Sequence, residues 1–164
     1  MNKIKLWLCR IRNWIFIDSH LPKAYSFEQM LTEFLVVKRP KRILEFGVGR
    51  STMLMKNLLP GSEIYSIEDD WRWYLRWLIA GLDVHYDNNN YSSPDFPDKY
   101  FDFVFIDGKD EERQECMGSA FRLLKDGGFA MLHDTHKFFP DTELFKVIKD
   151  YNYTALMEKK HEES

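Results

Sequence analysis

The sequence predicts an α/β fold: a three-layer sandwich with a mostly parallel central sheet and helices on both faces. Three observations carry this. Short apolar runs of strand length alternate with stretches of helical periodicity along most of the chain. The run FDFVFID at 101–107 is apolar at nearly every position, as a strand covered on both faces is. Polar and ionisable residues collect where each apolar run ends, at 45–51, 68–70, 87–90, 107–109 and 133–136. Sheets of this kind take their ligands at the carboxyl ends of their strands.

The elements follow in order. Residues 25–38, YSFEQMLTEFLVVK, have helical spacing, with Ser26 as an N-cap and Pro40 as the stop. RILEF at 42–46 is a strand, GVGRS a turn, and TMLMKNLL a helix ending near Pro60 and Gly61. EIYSI at 63–67 is the second strand, and WRWYLRWLIAG after EDD is an aromatic-rich helix. LDVHY at 82–86 predicts a shorter third strand, and 87–99 is loop by composition. Beyond the 101–107 strand, 111–125 read as a helix and GFAMLHD at 128–134 as a strand introduced by Asp126-Gly127-Gly128. A helix near 141–150 and a single strand near 153–157 close the pattern.

Composition narrows the function. A chain of 164 residues suits one domain. A net charge of -3 offers no general reason to expect nucleic acid. Cys9 and Cys116 lack metal or redox spacing, which fits a reducing, cytoplasmic setting. Residues 1–24 read as a separate basic and aromatic helical segment ahead of a domain at 25–164. Its first 17 residues carry Lys3, Lys5, Arg10 and Arg12 and no acid. They are too short and too charged to span a bilayer. They suit either a helix packing Leu6, Trp7, Ile11 and Trp14 on the domain or peripheral contact with an anionic membrane.

The strand ends carry the chemistry. Gly47 and Gly49 let the chain turn tightly between strand and helix and approach a ligand. The helix beginning near Ser51 or Thr52 offers free amides to an anionic group. Glu68, at the end of the second strand, is placed to accept from ribose hydroxyls; an exposed turn carboxylate is the plainer alternative. That spacing suits a dinucleotide or an adenosyl ligand. Two features separate them. The third glycine of the dinucleotide fingerprint is missing, and Glu45 would repel a pyrophosphate while suiting an ammonium or sulfonium. Trp71, Trp73 and Trp77 are placed either to pack a core or, for Trp71, to stack on a base.

LEFGVGRST, SIEDDW, FDFVFIDGKD and FRLLKDGGFAMLHDT, in this order, resemble the successive motifs of class I, Rossmann-like S-adenosylmethionine-dependent methyltransferases. Their second half is similar to the small-molecule and sugar O-methyltransferase branch. The resemblance covers roughly 25–157 and implies the roles that follow. Gly47, Gly49 and Ser51 wrap the methionine part of the cofactor, with Glu45 nearby. Glu68 holds the ribose, Asp87 or Asn88 lies near the adenine, and Asp107 stands beside the sulfonium. The acceptor is a small hydroxylated molecule such as a sugar. Asp107, Asp134 and Thr135, at the ends of neighbouring strands, suit magnesium, since related metal-dependent enzymes place Asp, Asp and Asn or Asp there. His133 or His136 is an alternative base, with Asp107, His133 and Asp134 as the expected catalytic group; a buried, hydrogen-bonded strand histidine is the plainer role for His133. Lys109 either steers an anionic substrate or is a solvated lysine. One departure is expected: the family ends in a strand hairpin, and only one closing strand is readable. That leaves room for a cofactor-binding partner or regulatory domain as an alternative to an enzyme. An NAD-binding oxidoreductase domain is a third.

Overall fold

The computed structural model describes residues 27–161. The N-terminal segment, the membrane reading of 1–17 and the Ser26 cap lie outside the described residues. Helix α1 (Phe27–Lys38) precedes strand β1 (Arg42–Phe46), α2 (Arg50–Leu58), β2 (Glu63–Glu68) and α3 (Trp71–Ile79). Then come β3 (His85–Tyr86), β4 (Phe101–Ile106), a 3-10 turn (Asp110–Glu112), α4 (Arg113–Leu123), β5 (Leu124–His133), β6 (Phe145–Tyr151) and β7 (Thr154–Lys159). The strands form one seven-stranded sheet in the order β3-β2-β1-β4-β5-β7-β6. Its first five members pair in parallel. No helix among the described residues is long and apolar enough to cross a membrane.

Alternation along the central strands builds two cores. Ile43, Phe103, Phe105 and Met131 face α1 and α2, where they meet Leu31, Phe34, Leu35 and Met55. Leu44, Phe46, Val104, Ile106 and Leu132 face the other way, against Cys116, Met117, Ala120 and Leu123 of α4. A strand apolar on both faces can sit only between two helical layers, so the 101–107 run occupies the middle of the sheet.

The C-terminal region differs from expectation. The segment read as a helix near 141–150 is strand β6, and the hairpin thought missing is present: β6 pairs with β7, and β7 with β5, all antiparallel. The helical signal has a physical source. The Asp141 carboxylate accepts the amides of Glu143 at 2.9 Å and Leu144 at 3.2 Å, capping a single turn. The turn stops because Phe145 packs edge-on against Phe121 of α4, and the chain then extends as an edge strand with only Phe145 buried. Asn152 and Tyr153 reverse it with φ of 49° and 62°, a two-residue turn with both centres left-handed. No glycine marks that turn. The third strand is also shorter than expected, with only His85 and Tyr86 pairing to β2.

Candidate functional site

The chain leaves β1 toward β2 and β3 on one side of the sheet, while β4 and β5 lie on the other. Where strand order reverses like this, a crevice opens above the strand ends. Residues from the β1, β2 and β4 exits line a cleft of about 1250 Å³.

Its floor is the glycine turn. Gly47 has φ of +88°, and a Cβ there would stand 2.6 Å from the Asp107 carbonyl oxygen. Only glycine lets the β1 and β4 exits come this close. A Cβ on Gly49 would meet nothing within 4 Å, so the turn leaves open space above that position. Gly49 donates its N–H to Thr52 Oγ1 at 2.9 Å as α2 begins, and the first turn of that helix has N–H groups without intrahelical partners.

Glu45 lies beneath this turn, fully buried, and is not part of the cleft wall. Ser51 Oγ donates to its Oε1 at 2.5 Å and Thr52 Oγ1 to its Oε2 at 2.6 Å. Burial pushes the Glu45 carboxyl up to about 7, against the pull of those two hydroxyls. Glu45 therefore sets the start of α2, and the Ser51 hydroxyl, although Ser51 lines the cleft, is committed to it.

Glu68 closes the β2 side. Its Oε2 accepts the Val48 N–H at 3.0 Å and its Oε1 the Asp70 N–H at 3.0 Å. Burial raises its pKa, and the two backbone donors work against that. An ionised carboxylate has about four acceptor sites, so two remain for a ligand. The neighbouring Asp69, which sequence reasoning passed over, also lines the cleft and meets Lys109 Nζ of the β4 exit at 3.7 Å. The tryptophans divide. Trp77 is buried in a core cluster with Val48 and Val84 and touches the cleft from beneath. Trp73 lines the cleft and donates Nε1 to the Val48 carbonyl at 2.5 Å. Trp71 stands at the wall, 54% exposed.

Asp107 lines the cleft from the β4 exit, partly buried. Burial pushes its carboxyl up to about 7; the Arg113 guanidinium lowers it, and Asp134 and Glu45 add to the rise. Behind Asp107 lie His133 and Asp134 of the β5 exit; one ligand atom from each of the three falls within 4.8 Å of the others. Asp134 has φ of 60°, the left-handed region unusual for a side-chain-bearing residue. His133 Nε2 is 3.6 Å from Asp134 Oδ1, its Nδ1 bonds Thr154 Oγ1 at 2.9 Å, and its ring packs on Phe27. Burial holds this imidazole below its ordinary value, against the Asp134 carboxylate. His136 is more exposed and lies 4.0 Å from the same oxygen of Asp134.

The structure thus brings Gly47, Gly49, Ser51, Glu68 and Asp107 to one cleft and places Glu45 under it. Asp87 and Asn88 are not in its wall. The Asp87 Oδ1 is taken by the amides of Asn89 and Asn90, both at 2.9 Å, which lower its pKa. Thr135, the expected third magnesium ligand, directs its hydroxyl to Asp150 Oδ1 at 3.5 Å. Arg113 stands there instead, its Nη2 between Asp107 and Asp134. Magnesium keeps several waters and can be held by two carboxylates, but here both already face one guanidinium, and the third group, an imidazole, is a poor ligand for it. Arg113 carried one overlooked signal: a cation in the first turn of a helix opposes the helix dipole and needs a specific partner.

No family profile matches the chain, and no curated protein matches it in sequence. Solved structures do. The chain is similar to a candidate caffeoyl-CoA O-methyltransferase from Staphylococcus aureus, with a TM-score of 0.70 and 12% identity, covering 93% of this chain and 92% of that one. It is similar to the S-adenosylhomocysteine-bound methyltransferase PaMTH1 of Podospora anserina, with a TM-score of 0.66 and 14% identity over 94% and 88% of the two chains. The N-methyltransferase NodS of Bradyrhizobium japonicum, in complex with S-adenosylhomocysteine, matches with a TM-score of 0.60 and 11% identity over 94% and 98%. Strand order, the switch-point cleft and these likenesses agree: the chain has the fold of the class I, Rossmann-like S-adenosylmethionine-dependent methyltransferases, C-terminal hairpin included.

Proposed function

We propose that the protein transfers a methyl group from S-adenosylmethionine to a hydroxyl oxygen of a small molecule such as a sugar. The observation that carries this is the convergence of the Gly47–Gly49 turn, Glu68 and Asp107 on one cleft. Each suits a different part of a zwitterionic, adenosine-bearing cation. The amino end of α2 has free amides that would hold its carboxylate. The free acceptor sites of Glu68 suit the ribose hydroxyls. Asp107 suits the positive centre. The cleft exceeds the roughly 300–1,000 Å³ of a usual small-molecule pocket, leaving space for an acceptor beside the cofactor.

The acceptor oxygen attacks the methyl carbon, the carbon–sulfur bond breaks with its electron pair going to sulfur, and the hydroxyl proton must leave. Asp107, held near neutrality, is matched to receive it around pH 7. Holding oxygen and methyl in line supplies most of the acceleration, on the order of 7–11 kcal/mol. The hairpin β6–β7 removes the ground for reading the chain as a partner domain with an incomplete fold.

The test is methyl-labelled cofactor offered with a panel of sugars and phenols. Label on a hydroxyl oxygen is expected, with Asp107→Asn lowering turnover by about 10²–10⁴-fold while S-adenosylhomocysteine, which lacks the sulfonium charge, still binds. Label appearing on amines would overturn the oxygen assignment. Cofactor binding without turnover on any acceptor would favour the partner-domain reading.

A further inference from the structure

The β4 and β5 exits are joined through a buried arginine. Arg113, the first residue of α4, is 4% exposed. Its Nε donates to the Gly108 carbonyl at 2.7 Å and its Nη1 to the His133 carbonyl at 2.8 Å. Its Nη2 lies 3.5 Å from Asp107 Oδ1 and 3.4 Å from Asp134 Oδ2. Asp110 Oδ1 adds a third carboxylate at 3.5 Å. A buried cation is retained only when its partners are good, and this one has two carbonyls, one from each strand exit, and carboxylates on either side.

We propose that the Arg113 guanidinium supplies the positive charge of this site in place of a divalent metal, so that methyl transfer here is metal-independent. Arg113 is then a positioning residue. It offsets the repulsion between Asp107 and Asp134 and fixes the Asp107 carboxylate at the cleft wall, and the hydroxyl proton leaves to a side chain. Two features agree: Thr135 is turned toward Asp150, and the group left beside the carboxylates is the His133 ring, a poor ligand for magnesium. The inference rests on the methyl-transfer reading for its chemistry, while its test does not.

The probe is Mn²⁺ added to the full-length protein, followed by the electron paramagnetic resonance of the free ion. The wild-type chain should leave that signal undiminished, and its S-adenosylhomocysteine affinity and turnover should be the same in EDTA as in magnesium. Arg113→Gln, which keeps a donor for the carbonyls but removes the charge, should take up Mn²⁺, and adding Asp134→Asn should abolish the uptake. Stoichiometric Mn²⁺ binding by the wild type, lost in Asp134→Asn, would overturn the proposal. So would a folded Arg113→Gln variant that ignores Mn²⁺. Should that variant not fold, the wild-type titration decides alone. Failure to bind S-adenosylhomocysteine would sink the methyl-transfer reading and leave the manganese result standing.

Discussion

Replacing Glu45 by glutamine tests the buried support of the cleft. In the folded chain the carboxyl is raised from 4.5 to about 7 because it is taken out of water with only hydroxyl partners. That displacement is worth about 3 kcal/mol, at roughly 1.4 kcal/mol per tenfold in proton affinity. The folded state prefers the protonated acid, so its contribution is intact at or below pH 4.5 and is lost as pH rises through about 7. Glutamine is uncharged throughout, and the Ser51 and Thr52 hydroxyls can rotate to serve its amide. Urea unfolding of wild type and Glu45→Gln from pH 5 to pH 8 reads the difference. Asp107 titrates in the same window in both proteins, so most of its effect cancels. The variant should gain on the wild type by up to about 3 kcal/mol across that range. A stability difference that stays constant with pH would refute the reasoning.

Glu68→Ala removes the ribose partner and the acceptor of the Val48 amide, and should weaken S-adenosylhomocysteine binding by about 1–3 kcal/mol in a calorimetric titration. Unchanged affinity would remove the ribose role. Gly47→Ala puts a methyl group 2.6 Å from the Asp107 carbonyl oxygen at a left-handed backbone position. It should lower stability by on the order of 1–3 kcal/mol in chemical unfolding. Asp107, with its carboxyl near 7, should favour the cationic cofactor more strongly once ionised. The preference for S-adenosylmethionine over the neutral product should therefore rise by up to about tenfold per pH unit from pH 6 and level off above 7. Competition binding at pH 6, 7 and 8 measures it.

Much of this was legible in the sequence wherever burial and local backbone demand the same thing. Strands β1 and β4 announce themselves as apolar runs, and the acids at their exits stand out because such residues are expensive to place there without purpose. Gly47 is legible because no other residue fits its turn. The hairpin was not, because Asn152 and Tyr153 adopt left-handed backbone without a glycine, and Asp141 caps a turn that tertiary packing then ends. Nor could spacing show that Ser51 is committed to Glu45, that Asp87 folds back on its own loop, or that Arg113 reaches both aspartates. Those facts depend on which side chains meet across strands far apart in the chain.

A cleft that recognises an adenosyl cation should discriminate it from a nicotinamide dinucleotide. The most direct test of this is a calorimetric titration of the full-length protein with S-adenosylhomocysteine beside NADH. Saturable one-site binding of S-adenosylhomocysteine is expected, and none of NADH. Preferential binding of NADH would contradict it.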